Sequence, residues 1–275
     1  MKSVPLTFAL LTIFGSSSVG HLGPAFDEFR INHYSNIAWR SDETRPRGFF
    51  AQEEPNQKNT VASHLIEEFK ETKVFWQQLE VAKQIVALHD TSLLQELTPW
   101  LNHEDRHLRG NAAFIFAGLG DERGFDVIVA ILTDYSDRPE GQGMAMVSSN
   151  GRYHVKQQIM SDRYYAVHLL GELKDARAVP ILVPFLGDQE INYKVAWALG
   201  EIGDRSAIPL LIGALDDRSS DVRVIAIESL AKLGAKEALP RLVELLNDNE
   251  KSHFDQLVSV AEAAQRAITE LQVAP

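Results

Sequence analysis

The segments INYKVAWALGEIGDRSAIPLLIGALDD (residues 191–217) and DVRVIAIESLAKLGAKEALPRLVELLND (residues 221–248) are two copies of one pattern. In each copy, apolar residues recur at helical spacing up to a Gly, and Gly234 follows Gly203 by 31 residues. A second apolar run then carries a Pro in its first turn, where the missing N–H would have no helical acceptor. Tandem repeats of this length are typical of solenoids, so the two segments predict stacked helical hairpins.

Three weaker copies precede this pair. Residues 162–188 lie 29 residues upstream in the same register, residues 108–132 match without the Pro, and residues 77–101 match through their apolar positions. The chain after residue 248 contains one more amphipathic segment, which we interpret as a cap. We therefore predict an all-α fold, an alpha-alpha superhelix over residues 62–272 with about five helical hairpins and a capping helix.

Three short motifs carry a family resemblance. They are D-V-R-x-x-A at residues 221–226, A-L-G-E-I-G-D at residues 198–204 and A-I-P-x-L at residues 207–211. On these motifs the chain resembles the short HEAT-like repeats of bacteria, including those of the phycobilisome-lyase type, over residues 73–271. The resemblance implies an armadillo-like helical solenoid. It also implies a scaffold or partner-binding surface, because only some members of that family are enzymes.

The composition is that of an ordinary globular protein. The chain has 275 residues, 45% of them hydrophobic and 24% charged, and no Cys, so it forms no disulfide. With 27 basic and 38 acidic side chains, the formal net charge of -11 gives no long-range attraction for phosphates. We therefore expect no nucleic-acid partner.

The N-terminus predicts export. Residues 1–20 (MKSVPLTFALLTIFGSSSVG) contain one Lys, an apolar run over residues 4–14 and then small residues, which is typical of a secretory signal peptide. The run is too short for a membrane span of roughly 20 residues. Residues 21–61 have scattered aromatic side chains without helical or alternating periodicity, and we predict an irregular N-terminal arm there. The expected location is periplasmic or extracellular.

A literal H-E-x-x-H sequence occurs once, from His103 through Glu104 to His107. On a helix, this spacing can hold a catalytic zinc ion, with the Glu as general base. In the repeat register, however, the motif coincides with the turn between two hairpins, and no third ligand is apparent. We predict no metal and no cofactor, with His103, Glu104 and His107 retained as alternative metal ligands. The His-Glu pairs that mark di-iron hydroxylases of related repeat fold are replaced here by Tyr164-Tyr165 and Tyr193-Lys194.

Two polar rows recur with the repeat. An Asp stands at the turn inside four of the hairpins, and we interpret it as a helix cap. An Arg stands at the start of three first helices, where we expect pairing with acidic neighbours. These residues are Asp90, Asp121, Asp175 and Asp204, and Arg109, Arg163 and Arg223.

The repeat frame is interrupted once, by a long loop at residues 133–156. Long loops in compact domains are either functional or disordered. This one carries residue types that supply contact area and directional bonds at interfaces. We predict binding residues there, namely Tyr135, Arg138, Arg152, Tyr153 and His154.

The sequence thus predicts an exported scaffold or adaptor that binds a protein partner and has no catalytic residues. The alternative is an enzyme or a small-ligand or metal-binding protein, of the lyase-like or hydroxylase-like repeat type. It would use the edge near His103 and His107 together with the loop at residues 133–156. The oligomeric state stays open.

Overall fold

The computed structural model describes residues 55–136, 155–253 and 258–273. Within these three stretches the regular structure is helical, apart from one isolated antiparallel bridge between Lys251 and Ser259. None of the helices in them is both long and apolar enough to cross a bilayer.

A leading helix, five hairpins and a capping helix follow one another along the chain. The helices are α1 (Pro55–Glu71), α2 (Phe75–Ala87), α3 (Leu94–Leu97), α4 (Arg106–Gly118), α5 (Glu122–Thr133), α6 (Val155–Leu173), α7 (Ala178–Leu182), α8 (Asn192–Ile202), α9 (Ile208–Ala214), α10 (Ser220–Lys232), α11 (Leu239–Glu244) and α12 (Val260–Val273). Hairpins 1 to 5 are α2/α3, α4/α5, α6/α7, α8/α9 and α10/α11, and short 3-10 turns extend several of the second helices.

The first helices form the core of the solenoid. Each of α2, α4, α6, α8 and α10 packs against its neighbour in the row, and α10 packs against α12. Because these helices are covered on several sides, their apolar residues are almost completely buried. Leu170, Leu199 and Leu230 occupy one repeat position and all are 0% exposed. The repeat register predicted from the sequence therefore places the core correctly.

Each hairpin turn uses a left-handed residue at one repeat position. Gly120, Gly203 and Gly234 have φ values of 87°, 82° and 62° there, and glycine adopts this conformation without a steric penalty. In hairpins 1 and 3 the same position holds His89 and Lys174, with φ values of 53° and 54°. Side chains with a Cβ atom are strained in this region, so these two turns are less well optimised than the other three.

In four of these five turns, an Asp follows the left-handed residue and caps the next helical segment, as predicted. Its carboxylate accepts a hydrogen bond from the backbone N–H two residues on, at distances of 2.8 to 3.1 Å. The pairs are Asp90 with Ser92, Asp121 with Arg123, Asp175 with Arg177 and Asp204 with Ser206.

Helices α4 and α5 approach each other closely at Gly124. A Cβ atom on Gly124 would lie 2.2 Å from the Ala113 carbonyl oxygen and 2.3 Å from the Ala117 nitrogen, both backbone atoms of α4. Glycine is therefore the residue that allows α5 to lie against α4 at this separation.

Several predicted boundaries differ from the structure. Helix α1 begins at Pro55, so residues 55–61 are helical although we predicted an irregular arm through residue 61. The predicted loop at residues 133–156 is shorter at both ends, because Thr133 ends α5 and Val155 begins α6. Apolar periodicity fades near helix ends, where one face is no longer buried. The signal peptide at residues 1–20 and the arm up to residue 54 lie outside the described residues.

Candidate functional site

The inter-repeat edge is the side of the solenoid where one hairpin ends and the next begins. Near this edge, a cation or amide on the first helix contacts the Asp that follows the second helical segment of the same hairpin. This side chain lies in the first turn of α4, α8 and α10, whereas Arg163, which we predicted at a helix start, lies in the middle of α6. We call this contact the hairpin clasp. It occurs in hairpins 2 to 5, as Arg106–Asp134 (2.5 Å), Arg163–Asp188 (2.6 Å), Asn192–Asp217 (3.3 Å) and Arg223–Asp248 (2.9 Å).

In each ionic clasp the cation is buried below the carboxylate. The side chains of Arg106 and Arg163 are 7% and 2% exposed, whereas those of Asp134 and Asp188 are 32% and 26% exposed. The side chain of Glu190, whose carboxylate lies 3.9 Å from Arg163, is 37% exposed. The edge therefore presents fixed carboxylates to solvent, with their counter-charges beneath them.

The predicted Arg row is extended by one residue. Arg163 and Arg223 form the expected ion pairs. Arg109 donates from Nη1 to the His103 carbonyl oxygen at 2.9 Å and its charge also acts on Asp134, while Arg106 forms a direct ion pair with Asp134. Arg109 and Arg223 occupy equivalent positions in the repeat, and Arg223 makes the same kind of hydrogen bond, from Nη1 to the Asp217 carbonyl oxygen at 2.7 Å. The sequence analysis did not single out Arg106, which lies one helical turn before Arg109.

The H-E-x-x-H residues span the turn between hairpins 1 and 2 and share no helical face. His103 follows a 3-10 turn and stacks on Trp100, with ring centroids 5.1 Å apart. Its Nδ1 accepts from the Asp105 N–H at 3.1 Å. Helix α4 begins only at Arg106, and Glu104 is exposed. In the described part of the chain, no three His, Asp or Glu side chains are grouped so that they could hold a metal ion.

His107 is a core residue. It is 1% exposed and packs against the rings of Phe75 and Tyr165, with centroids 4.5 and 5.0 Å away. Its Nε2 lies 3.3 Å from Ser161 Oγ, and its Nδ1 has no hydrogen-bond partner. This Nδ1 lies 3.6 Å from an oxygen of Asp162, whose side chain is 0% exposed.

Asp105 completes this turn as the N-cap of α4, accepting from the N–H groups of His107 and Leu108. Burial opposes ionisation of this carboxyl. The pKa of Asp105 nevertheless lies well below its usual range, because His107 and the two N–H groups stabilise the carboxylate.

Tyr135 stands at the start of the segment between α5 and α6. It is 58% exposed, and the Arg163 guanidinium carbon lies 4.3 Å from the centroid of its ring. The residues on either side are also held, since Arg106 pairs with Asp134 and donates to Ser136 Oγ at 2.9 Å. The first residues of the predicted loop, residues 134–136, are thus held against the solenoid by two buried Arg side chains. The other predicted binding residues, Arg138, Arg152, Tyr153 and His154, lie outside the described residues.

A second polar group, on the row of first helices, was not singled out by the sequence. Lys194 on α8 is 2% exposed, and its Nζ lies 3.3 Å from the centroid of the Trp197 ring. Burial lowers the pKa of the Lys194 ammonium well below its usual range, although Glu172 and Glu201 oppose this change. Trp197 also stacks on His168, with ring centroids 5.0 Å apart.

The row of first helices is further connected by ion pairs. Lys83 on α2 reaches over α4 to Glu172 on α6 at 3.0 Å, and Lys232 on α10 pairs with Glu201 on α8. In these pairs each charge is neutralised by its partner. The inter-repeat edge, where the carboxylates are partly exposed, is the better candidate site.

The fold and its clasps define an all-α repeat solenoid. A family model described as HEAT repeats matches residues 186–257, and one described as PBS lyase HEAT-like repeat matches residues 162–188. Residues 162–257 therefore consist of HEAT-like repeats. No curated protein matches the chain.

Two solved structures resemble the fold. One, titled as an engineered protein, is 18% identical with a TM-score of 0.43, and the match covers 81% of this chain and 93% of that one. The other, titled as computationally designed armadillo repeat proteins for modular peptide recognition, is 17% identical with a TM-score of 0.39, over 79% of this chain and 94% of that one. Both likenesses concern the fold alone.

Proposed function

We propose that this HEAT-like repeat protein is a scaffold that binds a protein partner at the inter-repeat edge of hairpins 2 and 3. The segment between α5 and α6 is part of the same binding surface. The observation that carries the proposal is the position of Tyr135, which is 58% exposed yet held against the buried guanidinium of Arg163. Protein interfaces are enriched in aromatic residues of this kind, and a pre-positioned ring loses little entropy on binding.

The rest of the edge supports this surface. The clasps hold Asp134 and Asp188 on a framework of packed helices, and a site on rigid elements keeps its geometry better than one on free loops. The flanking segment at residues 137–154 contains Arg138, Arg152, Tyr153 and His154, which supply further hydrogen-bond donors and contact area. The proposed partner is a protein rather than a nucleic acid, because the net charge of the chain is -11.

Site-specific photo-crosslinking tests the proposal. A photoreactive phenylalanine analogue replaces Tyr135 in one variant of the full chain and Val243 in the other. Val243 is a suitable control because it is 53% exposed and lies on α11, away from hairpins 2 and 3. We expect one discrete adduct from position 135, identifiable by mass spectrometry, and none from position 243, in cells of the native source.

Two results would contradict the proposal. Position 135 could give no adduct, or both positions could give the same set of adducts, which would indicate random collision. As a second check, replacing residues 137–154 by a short Gly-Ser linker should remove the adduct at position 135 while the thermal unfolding temperature stays nearly unchanged.

We also propose that the chain is exported through the signal peptide predicted at residues 1–20. The support is the short apolar run followed by small residues. Mass spectrometry of the native protein should find an N-terminus near His21. Detection of the intact N-terminus from Met1 in a cytosolic fraction would refute export.

A further inference from the structure

Lys194 is a buried lysine whose terminal nitrogen faces aromatic rings. It lies on α8 and is 2% exposed. Its Nζ atom lies 3.3 Å from the centroid of the Trp197 ring and 5.2 Å from that of Tyr164. Within the three described stretches of chain, this atom donates no hydrogen bond and takes part in no ion pair. Ring faces attract a cation, but they replace only part of the hydration that an ammonium loses on burial.

The two carboxylates that attract Lys194 are each paired with another lysine. Glu172 lies 3.0 Å from Lys83, and Glu201 pairs with Lys232. Burial lowers the pKa of the Lys194 ammonium well below its usual range, and the charge of Lys83 lowers it further. The two carboxylates oppose this change without cancelling it. A larger fraction of Lys194 is therefore neutral amine than of a lysine in water, where about one in a thousand is neutral near pH 7.4.

The ring that contacts the Lys194 amine reaches the protein surface, because Trp197 is only half-buried. This ring fits against α6 because residue 171 is Gly171, where an added Cβ would lie 2.8 Å from it. Displacement of the one ring opens the amine to a small molecule, and partly exposed side chains change rotamer rapidly. Tyr164 forms the second flank, so the opening is lined by aromatic carbon and admits flat, apolar molecules.

We propose that Lys194 is a covalent binding site for small aromatic aldehydes. The Nζ lone pair attacks the carbonyl carbon, and one proton moves from nitrogen to the carbonyl oxygen to form a carbinolamine. Water then leaves as the C=N bond of an imine forms. Lysines that are desolvated among apolar groups, or placed near a second cation, are the ones activated for this reaction. The site lies on the row of first helices and does not depend on the partner proposed for the inter-repeat edge.

Reductive labelling of the full chain tests the proposal. Benzaldehyde is the probe, and sodium cyanoborohydride delivers hydride to the imine carbon and traps it as a stable benzylamine. Peptide mass spectrometry then compares the labelling rate of Lys194 with that of Lys174, an exposed lysine in the turn of hairpin 3. The ratio of the two rates does not depend on the reductant, because both lysines meet the same reagents.

At pH 7, Lys194 should be labelled about tenfold faster than Lys174, because a larger fraction of it is neutral. The ratio should fall as the pH is raised from about 7 to about 10, since the neutral fraction of a lysine in water rises about tenfold with each pH unit. In denaturant the ratio should approach one. The variant Lys194→Arg, shown to be folded by circular dichroism, should lose the fast adduct while Lys174 is labelled as before.

Equal or slower labelling of Lys194 in the folded chain would overturn the proposal, because the amine would then be protonated or out of reach. So would a ratio that denaturant does not change, because the reactivity would then follow from the local sequence and not from the fold. The wild-type labelling ratio decides the proposal even if Lys194→Arg fails to fold.

Discussion

The substitution Gly124→Ala tests the packing of hairpin 2 most directly. The added Cβ would lie 2.2 Å from the Ala113 carbonyl oxygen and 2.3 Å from the Ala117 nitrogen, whereas ordinary contacts begin at 3.4 Å. Neither backbone atom can rotate away, so α5 must move about 1 Å from α4. A gap of that size loses a quarter to a half of the dispersion energy across the contact. We expect the free energy of unfolding to fall by about 3 kcal/mol, at the upper end for overpacked cores.

Gly213→Ala provides the matched control. Gly213 lies in α9 with nothing within 4 Å of the added Cβ, so alanine there should stabilise the helix by about 0.5 to 1 kcal/mol. Chemical denaturation followed by far-ultraviolet circular dichroism measures both changes. Hydrogen exchange should place the loss from Gly124→Ala in hairpin 2 and its neighbours, because repeats contact mainly adjacent repeats. If Gly124→Ala unfolds at the same denaturant concentration as the wild type, the close approach of α4 and α5 is incorrect.

Three further outcomes are expected. Leu199→Ala should lower stability by roughly 2 to 5 kcal/mol in denaturant titration, because Leu199 is 0% exposed, and a loss below about 0.5 kcal/mol would contradict the register. Lys174→Gly should raise stability by about 1 kcal/mol, since Lys174 has a φ of 54°, and calorimetry showing destabilisation would refute the strain argument. The depressed pKa of Asp105 contributes stability above its unfolded value of about 4 that is lost as the pH falls further. The stability difference between wild type and Asp105→Asn should therefore shrink in acid, and a constant difference would exclude this role.

The fold could be predicted because its signals are local and repeated. Each signal can be read within one short segment. These signals are the helical spacing of apolar residues, a Gly in three of the hairpin turns and an Asp after four of the turns. Even where Lys174 replaces Gly, the neighbouring periodicity kept the register. Agreement among these signals along successive copies compensated for the weakness of any one copy.

The contacts between segments distant in sequence could not be predicted in the same way. Arg106 and Asp162 are 56 residues apart, and their ion pair depends on how α4 and α6 are aligned. The sequence around Gly124 does not show that a glycine is required there, because the requirement comes from the short distance between α5 and α4. Lys194 entered the sequence analysis only as a replacement for a metal ligand, and its burial against Trp197 depends on how α8 packs on the neighbouring first helices. Each case depends on interhelical geometry, which spacing within one helix does not determine.

The clasps explain how the same carboxylates can stabilise the hairpins and also form part of a binding surface. A clasp carboxylate such as Asp188 is fixed by a guanidinium that is 2% exposed, so it does not need to be ordered again when a partner arrives. The cation beneath it is shielded from solvent, whereas the Asp188 side chain is 26% exposed. Hairpin 4 uses Asn192 in place of Arg, and its Asp217 therefore has an amide rather than a cation as its clasp partner. Variation of the clasp residue can thus change the charge along the edge without changing the fold, which is how a repeat scaffold can select one partner over another.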